Sequence, residues 1–228
     1  FEVDYSYSYI NTKVDGSKSI DPVNRTADNP DWITLKNFDP SASAGTNFVA
    51  LQSEITPAVI SGCAGLGGTI PLPNLSYDNG IPALWSRPCL EAFGVTTSDG
   101  LETNLDGNEL PNTPHHSVKL GFAYTWSVPS IAGSLTARWD YYWQSESYAR
   151  EFNTVGDHID SWDQHNAQLI YESTDGKWSG RLFARNLQDA ENVTGKYLTS
   201  DTSGFYRNYF LTEPRIYGLT VRYNFDQE

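Results

Sequence analysis

The chain has 228 residues, with 28 acidic and 15 basic side chains, a formal net charge of -13, 39% hydrophobic residues and 14% aromatics. The acidic balance excludes a nucleic-acid binder, which needs basic patches to neutralise phosphates. The aromatic load and the 19% charged content exclude disorder, and no apolar run approaches the roughly 18 residues of a spanning helix.

The elements in chain order are strands. Residues 1–10 alternate Phe1, Val3, Tyr5, Tyr7 and Tyr9 with Glu2, Asp4, Ser6 and Ser8. Residues 117–127 set Val118, Leu120, Phe122, Tyr124 and Trp126 against Ser117, Lys119, Gly121, Ala123 and Thr125. Residues 134–148 begin with Leu135, Ala137, Trp139, Tyr141 and Trp143 opposing Thr136, Arg138, Asp140, Tyr142 and Gln144. A weaker strand covers 163–173, with Ala167, Leu169 and Tyr171 on its apolar side. Residues 177–187 and 214–225 repeat the alternation, the latter with Tyr217, Leu219, Val221, Tyr223 and Phe225. Period-2 alternation is the primary strand signal, and no segment reads as a helix. The fold class expected is all-β.

Several strands reach about ten residues, longer than the usual five or six and matching the about nine to eleven that a tilted strand needs to cross a bilayer. The connectors alternate in length. Pro129–Gly133 and Thr174–Gly176 are tight turns, whereas 11–116, 149–162 and 188–213 are long. Short turns at one end and long loops at the other describe an antiparallel transmembrane β-barrel. Trp126, Trp178, Tyr223 and Phe225 then fall at the turn end, as an aromatic girdle requires. The alternative is a soluble β-sandwich with the same aromatics in its core, but a sandwich rarely carries a structureless connection as long as 11–116. Six strands do not close a barrel, for which about eight is the smallest usual number. Open edges in lipid leave backbone groups unsatisfied. Together with the absence of Met, this leads us to expect a processed chain or a fragment whose remaining strands lie upstream of Phe1 or in another chain.

Leu105-Asp-Gly-Asn-Glu-Leu-Pro-Asn-Thr-Pro-His115, running into Val118–Trp126, resembles the segment before a late barrel strand of TonB-dependent outer-membrane receptors. Leu105, Gly107, Leu110, Pro111 and Pro114 carry that pattern. Arg185-Asn-Leu-Gln-Asp189 is similar to the family's Asn-Leu-x-Asp motif, and Pro214–Phe225 to its closing strand. Gln188 departs from the family's usual residue, and Asp226-Gln-Glu228 extends beyond the terminal Phe. The resemblance covers 105–225 and implies the C-terminal six strands of a plugged barrel of about 22 strands. It implies a periplasmic C-terminus and extracellular long loops, with Tyr223 and Phe225 as a barrel-assembly signal. It also implies an N-terminal plug and a TonB-contacting segment that have no counterpart in these residues.

Cys63 and Cys89 fit one disulfide in an oxidising compartment, the alternative being two unpaired buried thiols. They sit in the 11–116 connection, which carries twelve acidic and five basic residues and so holds -7 of the charge. Acidic outer loops could gather cations, or simply be a solvated surface; Asp106-Gly-Asn-Glu109 is better read as a turn than as a calcium loop. On the lumen side are expected Arg138, Asp140, Arg181, Arg185 and Arg222, some contacting the plug. Asp157, His158, Tyr206, Arg207 and Tyr209 are the candidates for substrate contact. No catalytic constellation, metal site or cofactor motif is present in the sequence. The expected function is TonB-dependent import of a scarce ligand, most often a ferric siderophore, across the bacterial outer membrane. Expected partners are the plug and remaining strands, the TonB complex, outer-membrane lipid and lipopolysaccharide, and a small-molecule or oligosaccharide ligand. The alternatives are a passive porin and a secreted carbohydrate-binding domain.

Overall fold

The computed structural model describes residues 1–37, 46–70 and 84–225. It divides into two compact units: Phe1–Lys13 with Asn108–Tyr197 and Tyr209–Glu228, and Val14–Gly107 with Leu198–Asn208. The tail Asp226–Glu228 lies outside the described residues.

The first unit is an antiparallel sheet of six strands. They are β1 (Glu2–Tyr9), β2 (His116–Val128), β3 (Gly133–Gln144), β4 (Trp162–Ser173), β5 (Trp178–Arg185) and β6 (Ile216–Tyr223), adjacent in that order. Alternation within a strand assigns its own two faces, but only register aligns them between strands. Here Asp4 pairs with Gly121, Gly121 with Asp140, and Asp140 with Asn166. Ala123 pairs with Arg138, Arg138 with Gln168, Gln168 with Phe183, and Phe183 with Gly218. The opposite face carries the row Tyr124, Ala137, Leu169, Leu182 and Leu219. One face is therefore polar and the other apolar across the whole sheet. β1 and β6 are open edges, so the sheet is a partial barrel, not a closed one.

The tight turns follow from local chemistry. Between β2 and β3, Pro129–Ile131 forms one 3-10 turn, and Ala132 takes a left-handed conformation at φ 46°. Between β4 and β5, the Asp175 carboxylate accepts from the Ser173 hydroxyl (2.6 Å) and the Lys177 amide (3.0 Å), and Gly176 supplies the positive φ. On the apolar side of this end, Trp178 packs on Tyr223 with ring centroids 4.6 Å apart, Tyr223 packs on Phe225 at 4.8 Å, and Tyr124 stacks on Trp126. At the other end of the apolar face, Tyr7 and Tyr9 gather round His116, while Trp139 and Tyr141 gather round His165 nearer mid-strand, where they pair with Phe122 and Leu120. Ten residues separate His116 from Trp126 on β2. At a rise of about 3.4 Å and a tilt of about 35–45°, that is a band about 24–28 Å tall, close to the roughly 25 Å apolar belt of a membrane barrel.

The second unit corrects the expectation of a structureless connection without helices. It holds a mixed five-stranded sheet (order Thr69–Ile70, Leu84–Trp85, Trp32–Asn37, Asn47–Leu51, Thr97–Ser98) and two helices, α1 (Pro57–Gly65) and α2 (Arg87–Ala92). Ile33, Leu35, Phe48, Ala50, Ile55, Val59, Trp85, Leu90 and Val95 form its buried core. The Cys63–Cys89 disulfide joins α1 to α2 across a sequence separation of 26. The signal was missed because these elements are short, and their core is assembled from residues distant in sequence, so no periodicity builds up. Thr56 caps α1 by accepting from the Val59 amide, with Pro57 at its first position. Arg87 at the start of α2 is held by Glu91 (2.9 Å), Thr97 (2.9 Å) and Asp99 (2.6 Å). Reducing the disulfide, or replacing both cysteines with Ala, is expected to destabilise this unit by about 2–4 kcal/mol through the freed loop entropy. Proteolysis of the complete protein with and without reductant should then cut within residues 46–100 first, leaving the six strands intact.

The strand expected over 134–148 stops at Gln144. Ser147–Tyr148 turns away to pair with His158–Ile159. The 188–213 connection contains its own strand pair, Val193–Leu198 with Arg207–Leu211.

Candidate functional site

The polar face of the sheet carries a connected charge cluster. The Arg138 guanidinium reaches Asp4 at 2.8 Å and Asp140 at 2.7 Å. Gly121 lies beneath them: a Cβ there would come within 2.7 Å of Arg138 Nη2 and 3.0 Å of Asp4 Oδ2. The glycine at that register leaves the cluster its room. A cavity of about 670 Å³ opens over it, lined among others by Lys119, Tyr142 and Asn166. Along the same face, Phe183 interrupts the polar alternation. The guanidiniums of Arg181 and Arg185 stand 5.1 and 5.5 Å from its ring centroid. Gly218 leaves room for that ring, since a Cβ would meet Phe183 Cζ at 2.2 Å. The five expected lumen residues thus share one face by register: Arg138 and Asp140 are ion-paired, Arg181 and Arg185 flank Phe183, and Arg222 on β6 pairs with Ser179 on β5.

The Asn-Leu-x-Asp stretch is a structural fastener. Asn186, 1% exposed and at φ 48°, donates from its side-chain amide to the carbonyls of Ala190 (3.0 Å) and Glu213 (2.8 Å). Its carbonyl accepts from the Ala190 amide (3.0 Å). Asp189 accepts from the Arg215 amide (2.8 Å), with the Arg215 guanidinium 3.7 Å away. The two ends of the connection between β5 and β6 are closed by these residues.

The substrate-contact candidates are divided between the two units. Asp157 is 3% exposed, and its carboxylate is engaged by Arg150 (2.7 and 2.9 Å) and the Thr154 hydroxyl (2.7 Å). Burial pushes its pKa up, but the Arg150 and Thr154 bonds outweigh that and hold it below its ordinary 3.8. Its observed work is to close the Ser147–Ile159 hairpin. His158, by contrast, is half-buried beside Glu146 and Asp160. Lys196, which sequence reasoning passed over, donates to the His158 carbonyl and lies 5.5 Å from the Tyr209 ring. His158 and Tyr209 therefore meet through Lys196. Tyr206 and Arg207, both exposed, lie in the other unit.

Because the folded-state pKa of Asp157 is depressed, its contribution to stability is present above about pH 4 and is lost as pH falls through the lower folded value. A spin label at Val155→Cys, a position 95% exposed, should become mobile in that acid range. The added substitution Asp157→Asn should make it mobile at neutral pH and remove the acid transition.

A sheet with one polar face, one apolar face belted by aromatics at both ends, tight turns at one end and long folded connections at the other defines a piece of outer-membrane-type barrel wall. A family model described as TonB-dependent receptor-like β-barrel matches residues 66–187, just over half of the chain. The chain belongs to that family, whose members are outer-membrane barrels. Among solved structures it is similar to the ferric yersiniabactin uptake receptor FyuA from Yersinia pestis (15% identity, TM-score 0.46, 58% of this chain and 19% of that one). It is also similar to BauA, the ferric preacinetobactin receptor (22%, 0.41, 53% and 16%), and the siderophore receptor PiuA (20%, 0.44, 57% and 18%), both from Acinetobacter baumannii. The chain spans less than a fifth of the length of each of these receptors. No curated protein matches it.

Proposed function

We propose that this chain forms the last six strands of a TonB-dependent receptor that imports a scarce ligand, in the first place a ferric siderophore, across the outer membrane. The family match carries this reading, and the two-faced sheet with its long folded connections supports it. The C-terminus and tight turns face the periplasm and the long connections face outside. The apolar face meets lipid and, at its outer end, lipopolysaccharide. Arg138, Asp140, Arg181, Arg185 and Arg222 face the lumen and its plug, and Tyr223 and Phe225 serve as the barrel-assembly signal. His158, Tyr206, Arg207 and Tyr209 are the ligand-contact candidates; Asp157 acts behind them by holding its hairpin. The wall catalyses no reaction. Energy for import comes from the TonB complex acting through the plug.

The test is uptake of a panel of iron-loaded siderophores by cells producing the complete protein, with and without TonB. Uptake that requires TonB is the expected result. Uptake that persists without TonB would identify a passive porin instead, and a panel without any import would remove the iron assignment.

A further inference from the structure

The connection between β5 and β6 does not fold alone. Its tip, Leu198–Asn208, belongs to the same compact unit as Val14–Gly107, which is inserted between β1 and β2. The join is made by Asp201, 6% exposed, at the head of a 3-10 turn. Its carboxylate accepts from Arg25 Nη2 at 3.0 Å and from the backbone amide of Asn47 at 2.6 Å, and its carbonyl accepts from Lys36 Nζ at 3.0 Å. Arg25 is itself built into the insertion. Its guanidinium donates to the Asp99 carbonyl at 2.6 Å, and its own carbonyl accepts the Leu101 amide at 2.7 Å. Gly100 between them lets the segment approach, since a Cβ would meet Ile20 Cγ2 at 2.4 Å and the Arg25 carbonyl at 3.3 Å. The tip is closed behind Asp201 by Thr199 pairing with Tyr206 and by Gly204 at φ 89°.

A carboxylate at this depth is costly unless paired, and charge-assisted bonds of this kind are the strong ones. We propose that Asp201 is a clamp that makes the β1–β2 insertion and the tip of the β5–β6 connection a single moving body. Tyr206 and Arg207 are then carried by the insertion rather than by the strands on either side of them. Any event that orders or releases one connection is transmitted to the other. The proposal concerns the outer connections themselves and holds for any imported ligand.

Coupling of this kind is reciprocal, so it is tested from both sides by amide hydrogen exchange on the complete receptor in detergent micelles. Asp201→Asn should speed exchange at Leu101, on the far side of Arg25, by about tenfold or more, as expected for losing a bond to a charged group. Arg25→Gln, which leaves Asp201 and its other partners in place, should speed exchange at Thr199 and Phe205 in the tip. Amides of the six strands should keep their wild-type rates in both variants. Loosening confined to the side that carries the substitution would overturn the clamp, as would no loosening at all. General acceleration in the strands would also overturn it, because the contact would then support the barrel rather than join the two connections. Should Asp201→Asn fail to fold, the Arg25→Gln result decides alone.

Discussion

Asn186→Ala is expected to destabilise the barrel wall by about 2–4 kcal/mol, because a buried side chain that makes three hydrogen bonds to part-buried backbone groups is removed, each such bond contributing about 0.5–1.5 kcal/mol. Those groups are the Ala190 amide and the Ala190 and Glu213 carbonyls. The residue also stands at φ 48°, where Asn is tolerated better than Ala. Urea titration of the complete protein folded into lipid vesicles, followed by tryptophan fluorescence, measures the loss. Two further substitutions separate the causes. Asn186→Asp keeps an acceptor for Ala190 but turns a carboxylate on two carbonyls, so it should be at least as damaging as Ala. Asn186→Gly permits the backbone angle but restores no bond, so it should remain severe. A Gly variant as stable as wild type would show that backbone conformation, not the hydrogen bonds, sets the requirement.

Arg at Leu182 or Leu120 is expected to cost about 2–4 kcal/mol, the penalty for a basic residue near the midplane on the lipid side of a barrel. Leu182 is 54% exposed and stands in register with Leu169 and Leu219, so nothing in the sheet itself covers it. Thr136 is the control. It lies on the polar face, where its hydroxyl meets that of Thr125 at 2.8 Å, and Thr136→Arg should lose only that bond, about 0.5–1.5 kcal/mol. Folding from detergent into lipid vesicles gives all three values. Equal tolerance at Leu120, Leu182 and Thr136 would mean that the apolar face does not meet lipid, and the membrane assignment would fall with it.

The strands were legible because each is a local, period-2 pattern ten or so residues long, and the alternation at Phe1–Tyr9 or Val118–Trp126 needs no partner to be seen. The tight turns were legible for the same reason, since Pro129 and Asp175-Gly176 act on their own backbone. The insertion was not. Leu35, Phe48, Trp85 and Leu90 pack together from segments of two to six residues, and helices of nine and six residues are too short to show a period of 3.6. The site was partly legible. Arg138, Asp140, Arg181 and Arg185 share one face by register, whereas Lys196 and Asp201 stand in sequence contexts that give no hint of their partners. Asp157 looked like an available carboxylate beside His158 until its geometry with Arg150 and Thr154 was known.

By itself, then, the sequence determined which side of each strand is apolar and where the chain must turn, because side-chain alternation and turn chemistry are properties of neighbouring residues. Only the tertiary structure decided that the six polar sides coincide, that Cys63 meets Cys89, and that a long acidic connection is a folded body closed by a carboxylate from another connection. Register, disulfide pairing and buried ion pairs are agreements between residues far apart in the chain, and no local pattern encodes them.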